Sequence, residues 1–129
     1  IHGWPLSADS WDDHAHALAE AGYRAIAYDR RGFGRSGQPS GGYDYDRLSD
    51  DLADVLAASG VTDGAALVGF SMGGGEVARY MSRHGGRGVA ATALIASVVP
   101  HLAKSRDNPH GAPEAELAKI AKGILADRP

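Results

Sequence analysis

The five residues Gly69-Phe70-Ser71-Met72-Gly73 constrain this chain more than anything else in it. They stand between a short apolar run, Ala65-Ala66-Leu67-Val68, and a helical pattern from Met72 to about His84 that places Val77, Ala78 and Met81 on one side. A strand that breaks at a serine directly into a helix is the frame of a nucleophile elbow. The spacing has a steric cause. The serine must take a strained backbone conformation for its hydroxyl to project from the sheet edge, and neighbouring side chains would collide in so tight a turn. Gly69 and Gly73, two residues to either side of Ser71, remove those collisions. Gly74 and Gly75 let the new helix pack close behind.

A serine hydroxyl is a weak nucleophile, so a base and an oxyanion hole must accompany it. One donor is local. The Met72 N–H lies at the N-terminus of the new helix, where the macrodipole favours developing negative charge. The second donor in such sites comes from the loop after an earlier strand, in a His-Gly type motif. The chain opens with that motif, Ile1-His2-Gly3-Trp4-Pro5. Gly3 permits the tight turn and the Trp4 N–H is the candidate second donor. His2 belongs to this loop and precedes the nucleophile, so it is expected to order the loop rather than act as the base.

Along the chain, strands and amphipathic helices alternate. Ser10-Trp11-Asp12-Asp13 has a capping-box pattern that opens a helix with Trp11, Ala15, Leu18 and Ala19 on one face, closed by Gly22. Tyr23 to Asp29 is expected to be a buried strand, and Arg30 to Gly42 a glycine-rich loop. A helix from about Asp46 to Ser59 carries Leu48, Leu52, Val55 and Leu56 at i, i+4, i+7, i+8 and ends at Gly60. A strand from Val89 to Ala96 and a helix from Pro113 to Ala126 follow. The order implies an α/β fold, a parallel sheet with helices on both faces.

Composition excludes several classes. A net charge of −3 without a basic run speaks against a nucleic-acid or anionic-membrane surface. No apolar run approaches the ~20 residues that a spanning helix needs. Zero cysteines rule out disulfides and thiol catalysis and fit a cytoplasmic location. The acidic residues Asp44, Asp46, Asp50, Asp51 and Asp54 suit a solvated helix start better than a cation site. Arg30, Arg31 and Arg35 are expected to be structural, with Asp29 a natural partner for one of them. Gly32-Phe33-Gly34 lacks the third glycine of a dinucleotide loop.

The run His2-Gly3-Trp4-Pro5-Leu6-Ser7-Ala8-Asp9-Ser10-Trp11, the Asp29-Arg30-Arg31-Gly32-Phe33-Gly34-Arg35-Ser36 segment and the Ser71-Met72-Gly73-Gly74-Gly75-Glu76-Val77-Ala78-Arg79-Tyr80 segment together resemble the α/β-hydrolase superfamily. Within it the resemblance is to the cofactor-free haloperoxidase, perhydrolase and aryl-esterase group. Ser105-Arg106-Asp107-Asn108-Pro109-His110-Gly111 is similar to that group's entry into its lid region. The resemblance implies a serine hydrolase that acts on small carboxylic esters or acyl groups through a Ser-Asp-His triad. Trp4 and Met72 backbone donors form the oxyanion hole, and neither a metal nor an organic cofactor takes part. Trp4-Pro5 resembles the perhydrolase branch, in which peroxide replaces water, and it equally suits a rigid turn. An alternative from another class is a hydrolase-fold binding or receptor-like protein that keeps the elbow without turnover.

In this superfamily the triad acid and base follow the serine, on loops after later strands. After Ser71 the acidic residues Asp107, Glu114, Glu116 and Asp127 sit in one loop and helix, and His84, His101 and His110 are equally poorly placed. None is expected to be catalytic. The chain also begins at Ile1, where the strand feeding the oxyanion loop closes. Residues 1–129 are therefore expected to be the N-terminal and central part of one hydrolase domain, truncated at both ends, with about 98–129 the start of the lid region.

Overall fold

The computed structural model describes residues 1–99 and 101–126 of the chain, in two compact units, Ile1–Ser97 and Val98–Pro129. In the first unit a 3₁₀ turn, Ala8–Trp11, leads into α1 (Asp12–Glu20), followed by α2 (Tyr45–Ala58), β1 (Ala65–Phe70), α3 (Met72–Arg83) and β2 (Val89–Ile95). The strands β1 and β2 pair in parallel, from Ala65 opposite Val89 to Phe70 opposite Ile95. They are joined through α3, the βαβ crossover expected of a parallel sheet. On the other edge of β1, Ile1 continues the ladder for one residue: its N–H donates to the Val68 carbonyl at 2.7 Å and its carbonyl accepts the Phe70 N–H at 3.0 Å. The N-terminal loop is thereby anchored beside the strand that ends in Ser71.

The core follows from the α2 and α3 patterns. Leu52 of α2, Leu67 of β1 and Val77 and Tyr80 of α3 are buried together, with Ile1, Tyr28, Ala53, Leu56 and Val89 packed around them. α2 begins at an Asp44 cap whose side chain accepts the Arg47 N–H at 2.9 Å, as an aspartate at that position should. Its acidic face meets basic residues of α3, its C-cap and the preceding loop: Asp46 pairs with Arg79, Asp50 with Arg83 and His84, and Asp51 with Arg31 and, within α2 itself, with Arg47. On α3 the buried positions are Gly73 to Val77 and Tyr80, whereas Met81 is exposed. The buried stripe is shifted by one residue from Met81 to Tyr80, because the Tyr80 hydroxyl donates to the Arg87 carbonyl at 2.7 Å and can enter the core with its polar end satisfied.

Two local expectations are corrected. Ser10 does not cap a helix: it lies inside the 3₁₀ turn with its hydroxyl donated to the Ser7 carbonyl, and α1 starts after Trp11 without a side-chain cap. A serine can satisfy a nearby carbonyl as readily as a helix N–H, and here the turn wins. Tyr23–Asp29 is not a strand among the described residues, and Tyr23 and Ile26 are 68% and 42% exposed. A strand exists only where a neighbour accepts its ladder, and no strand lies beside this segment among the described residues. Gly22, at φ +86°, does terminate α1, with the Tyr23 N–H returning to the Leu18 carbonyl.

In the second unit, Leu102–Lys104 and Ala112 form a short bridge, with Gly111 packed against Ala103. Asn108 ties the intervening loop by donating to the His101 and Ala103 carbonyls. α4 (Glu114–Ala126) follows Pro113, which suits a first helical turn, and its Ile120 and Leu125 are exposed. Asp127 lies outside the described residues. Among the described residues no helix is long and apolar enough to cross a membrane.

Candidate active site

Ser71 sits at the N-cap of α3 with φ 51° and ψ −118°. A residue with a Cβ in that region carries about 1–3 kcal/mol of strain, which the surrounding contacts must offset. The Ser71 N–H donates to the Ile95 carbonyl of β2 at 2.9 Å, and the Ser71 carbonyl accepts the Gly74 N–H at 3.1 Å. The glycine spacing is mechanical, as expected. A Cβ on Gly69 would lie 2.7 Å from the Gly73 carbonyl oxygen and the Gly74 nitrogen, and one on Gly73 would run into the Ile1 carbonyl. Gly74 packs on the Ser97 hydroxyl and Gly75 on the Tyr45 ring, so the helix start is closed in on both sides.

The loop that carries His2, Gly3 and Trp4 lies directly against this turn. A Cβ on Gly3 would meet the Ser71 Cβ at 2.8 Å and the Phe70 carbonyl at 3.1 Å. Gly3 therefore brings the start of this loop, with Trp4 next in sequence, close to Ser71, and its own carbonyl accepts the Leu6 N–H to close a turn. The Met72 N–H, the first of α3, has no intrahelical acceptor. Among the described residues neither it nor the Trp4 N–H has a protein acceptor.

His2 is fully buried and both its ring nitrogens are occupied. Nε2 accepts the Arg30 N–H at 3.0 Å, so Nδ1 carries the proton and donates to the Gly3 carbonyl at 2.9 Å. Its ring meets Phe33 edge-on at 5.0 Å. Burial pushes the imidazole pKa down, which keeps it neutral and suited to this bridging role. His2 orders the loop, and its geometry leaves no nitrogen for the Ser71 proton. In His2→Leu the Arg30 N–H is buried without an acceptor, and we expect the whole protein to lose about 1–3 kcal/mol of stability. Denaturant unfolding checks this, and an unchanged midpoint would contradict the bridge.

The arginine-rich loop is held by acids throughout. Asp29 accepts the Ala8 and Arg35 backbone N–H groups at 2.7 and 2.8 Å, which holds its carboxyl below the ordinary range, with the Arg35 side chain adding to the effect. Arg31 binds Asp51 through two hydrogen bonds of 2.7 Å. Arg30 reaches elsewhere. Its side chain is completely buried and donates from Nε to Glu76 Oε2 at 2.6 Å, while the Tyr28 hydroxyl donates to Glu76 Oε1. Burial pushes the Glu76 carboxyl above its ordinary value against the pull of Arg30, and burial beside Glu76 pushes the Tyr28 hydroxyl up as well. The Arg30-Glu76-Tyr28 cluster escaped the sequence reading, although a glutamate set between Gly75 and Val77 on the buried side of α3 was a signal for it. Tyr45, whose hydroxyl donates to the Met72 carbonyl at 3.2 Å, was missed too.

No histidine or carboxylate of residues 1–97 is hydrogen-bonded to the Ser71 hydroxyl. His84 is committed to Asp50 at 2.9 Å and stacks on Tyr80 with ring centroids 4.9 Å apart. In the second unit His101 pairs with Ser105 at 2.9 Å, and Asp107, His110, Glu114 and Glu116 are exposed.

Residues 1–123 match the alpha/beta hydrolase fold family. The chain is 44% identical to the non-heme chloroperoxidase CPO-A1 of Kitasatospora aureofaciens, over 99% of its own length and 46% of that protein. It is 47% identical to the bifunctional esterase/perhydrolase DCH of Acinetobacter calcoaceticus, over 98% of this chain and 46% of that one. A crystal structure of bromoperoxidase from Bacillus anthracis superposes with a TM-score of 0.92 at 49% identity, over 99% of this chain and 46% of that one. The chain thus spans about half the length of the curated relatives it matches. With that match over residues 1–123 and the strand-serine-helix turn and parallel βαβ unit in place, the chain belongs to the alpha/beta hydrolase fold family.

Proposed function

We propose that the whole protein is a serine hydrolase of small carboxylic esters, working through an acyl-enzyme on Ser71. The observation that carries this is the strained Ser71 at the head of α3 with Gly3 packed against its Cβ, supported by the Trp4 and Met72 N–H groups, which have no protein acceptor among the described residues. Ser71 Oγ attacks the ester carbonyl as a histidine takes its proton. The carbonyl oxygen becomes an oxyanion held by the Trp4 and Met72 N–H groups, and collapse breaks the ester C–O bond so that the alcohol leaves with the proton. Water then adds to the acyl carbon and releases the acid and free Ser71. Hydrogen peroxide in place of water gives a peracid, which can oxidise halide while returning to the acid. The names of the Kitasatospora and Acinetobacter relatives support that second outcome.

The base and its acid partner are proposed to come from outside the 129 residues, since no histidine or carboxylate of residues 1–97 is hydrogen-bonded to the Ser71 hydroxyl and the relatives are about twice as long. In the same reading, residues 1–129 are the N-terminal and central part of one domain, and about 98–129 begin its lid.

The donors are tested at Met72. Proline there removes the N–H, whereas leucine keeps it and changes only the side chain. Expected is a loss on the order of 10²–10³ in kcat for Met72→Pro, the effect of deleting one oxyanion donor, and activity within a few fold for Met72→Leu. Steady-state ester hydrolysis by the whole protein decides the matter. Equal losses in the two variants would mean that the side chain, not the amide, carries the role.

A further inference from the structure

We infer that Arg30 and Glu76 clamp the oxyanion loop to the elbow helix and hold the Trp4 and Met72 donors in register, which makes both of them positioning residues for the ester chemistry proposed above and rests on that reading. The loop side of the clamp is Arg30's backbone, whose N–H donates to His2 Nε2 while His2 Nδ1 holds the Gly3 carbonyl, one residue before Trp4. The helix side is Arg30's side chain, whose Nε donates to Glu76, four residues after Met72 on α3. One residue therefore grips both donor-bearing elements. The Tyr28 hydroxyl holds the second carboxylate oxygen, so Glu76 cannot swing away. All of the links are inside: His2, Arg30 and Glu76 are each no more than 1% exposed.

Stability alone does not account for this arrangement. A fully buried ion pair gains little or nothing over apolar side chains of similar size. Here Arg30 Nη1 and Nη2 are also buried without a partner among the described residues, a further penalty. Fixed geometry is what such a pair supplies. Oxyanion donors act only when aimed within about 3 Å of the developing charge. A displacement of about 1 Å can cost ~10² in rate.

Three variants of the whole protein test the clamp. Tyr28→Phe frees one carboxylate oxygen and keeps the ion pair, Glu76→Gln keeps the shape and removes the charge, and Arg30→Met/Glu76→Met replaces the pair by apolar side chains. Tyr80→Phe, which removes the hydrogen bond to the Arg87 carbonyl past the far end of α3, controls for lost stability. Thermal midpoints are recorded with kcat and KM for p-nitrophenyl acetate and the inhibition constant of a trifluoromethyl ketone, which forms a tetrahedral adduct. Glu76→Gln and the double variant are expected to lose ~10- to 100-fold in kcat with KM within about threefold, and to weaken ketone binding in proportion, as misplaced donors should. Tyr28→Phe should show a smaller loss of the same kind, and Tyr80→Phe a lower midpoint with unchanged kcat. Wild-type kcat and ketone affinity in Tyr28→Phe and in a folded double variant would overturn the clamp. Turnover that survives Ser71→Ala would instead overturn the nucleophile assignment, and the clamp with it.

Discussion

Replacing Ser71 by alanine in the whole protein is expected to lower kcat for ester hydrolysis by a factor on the order of 10⁶, with the fold intact. The size of the effect follows from how the members of a hydrolytic triad act as a unit. Without the nucleophile, the base has no proton to take and only the oxyanion donors remain, worth ~10³–10⁴ over the reaction in water. The fold should survive because the local strain belongs to Ser71's backbone, which alanine adopts at similar cost. The Ser71 N–H and carbonyl both bond through the main chain, to Ile95 and Gly74. Steady-state turnover and a thermal melt of the variant check both parts. A folded Ser71→Ala protein with undiminished turnover would move the chemistry to another residue.

The 129-residue polypeptide expressed alone is expected to be neither a stable monomer nor an esterase. Its sheet among the described residues has two strands, and isolated two-stranded sheets are marginal in water. Leu94 and Ile95 on β2 are 45% and 46% exposed, and Tyr23 and Ile26 add further apolar surface. Exposed apolar edges of this kind associate. Chemistry fails for a separate reason, since no histidine or carboxylate of residues 1–97 is hydrogen-bonded to the Ser71 hydroxyl. Size-exclusion chromatography, thermal unfolding and p-nitrophenyl acetate turnover give the outcome. A monodisperse sample with a cooperative transition and an activity that vanishes in Ser71→Ala would contradict this, and would bring His101 or His110 forward as the base.

What the sequence made legible was set by short-range physics. The elbow could be read because its steric demand falls on residues two positions away, and the structure finds Gly69 and Gly73 pressed against backbone where a Cβ has no space. α2 was readable from its i, i+4, i+7, i+8 apolar positions, and its carboxylates proved to be partners of α3 arginines as well as a solvated helix start. The Tyr23–Asp29 segment was misread because apolar alternation reports a wish to be a strand, while the ladder depends on a neighbour elsewhere in the chain. Ser10 was misread because a capping serine and a turn serine have the same local sequence. The Arg30–Glu76 pair was out of reach for a different reason. Its members are 46 residues apart, and charged side chains read as surface until packing places them inside. Asp29 was rightly expected to hold an arginine, and the one it holds is Arg35 rather than its neighbour in sequence.

The central claim is that Ser71 is the nucleophile, and covalent labelling of the whole protein tests it most directly. A fluorophosphonate reacts with a serine only where a base and an oxyanion hole activate it. Peptide mapping by mass spectrometry after labelling should find one adduct, on the peptide containing Ser71, slowed by a competing ester and absent from heat-denatured protein. An adduct on a different serine, or none in a preparation that still turns over ester, would contradict the assignment.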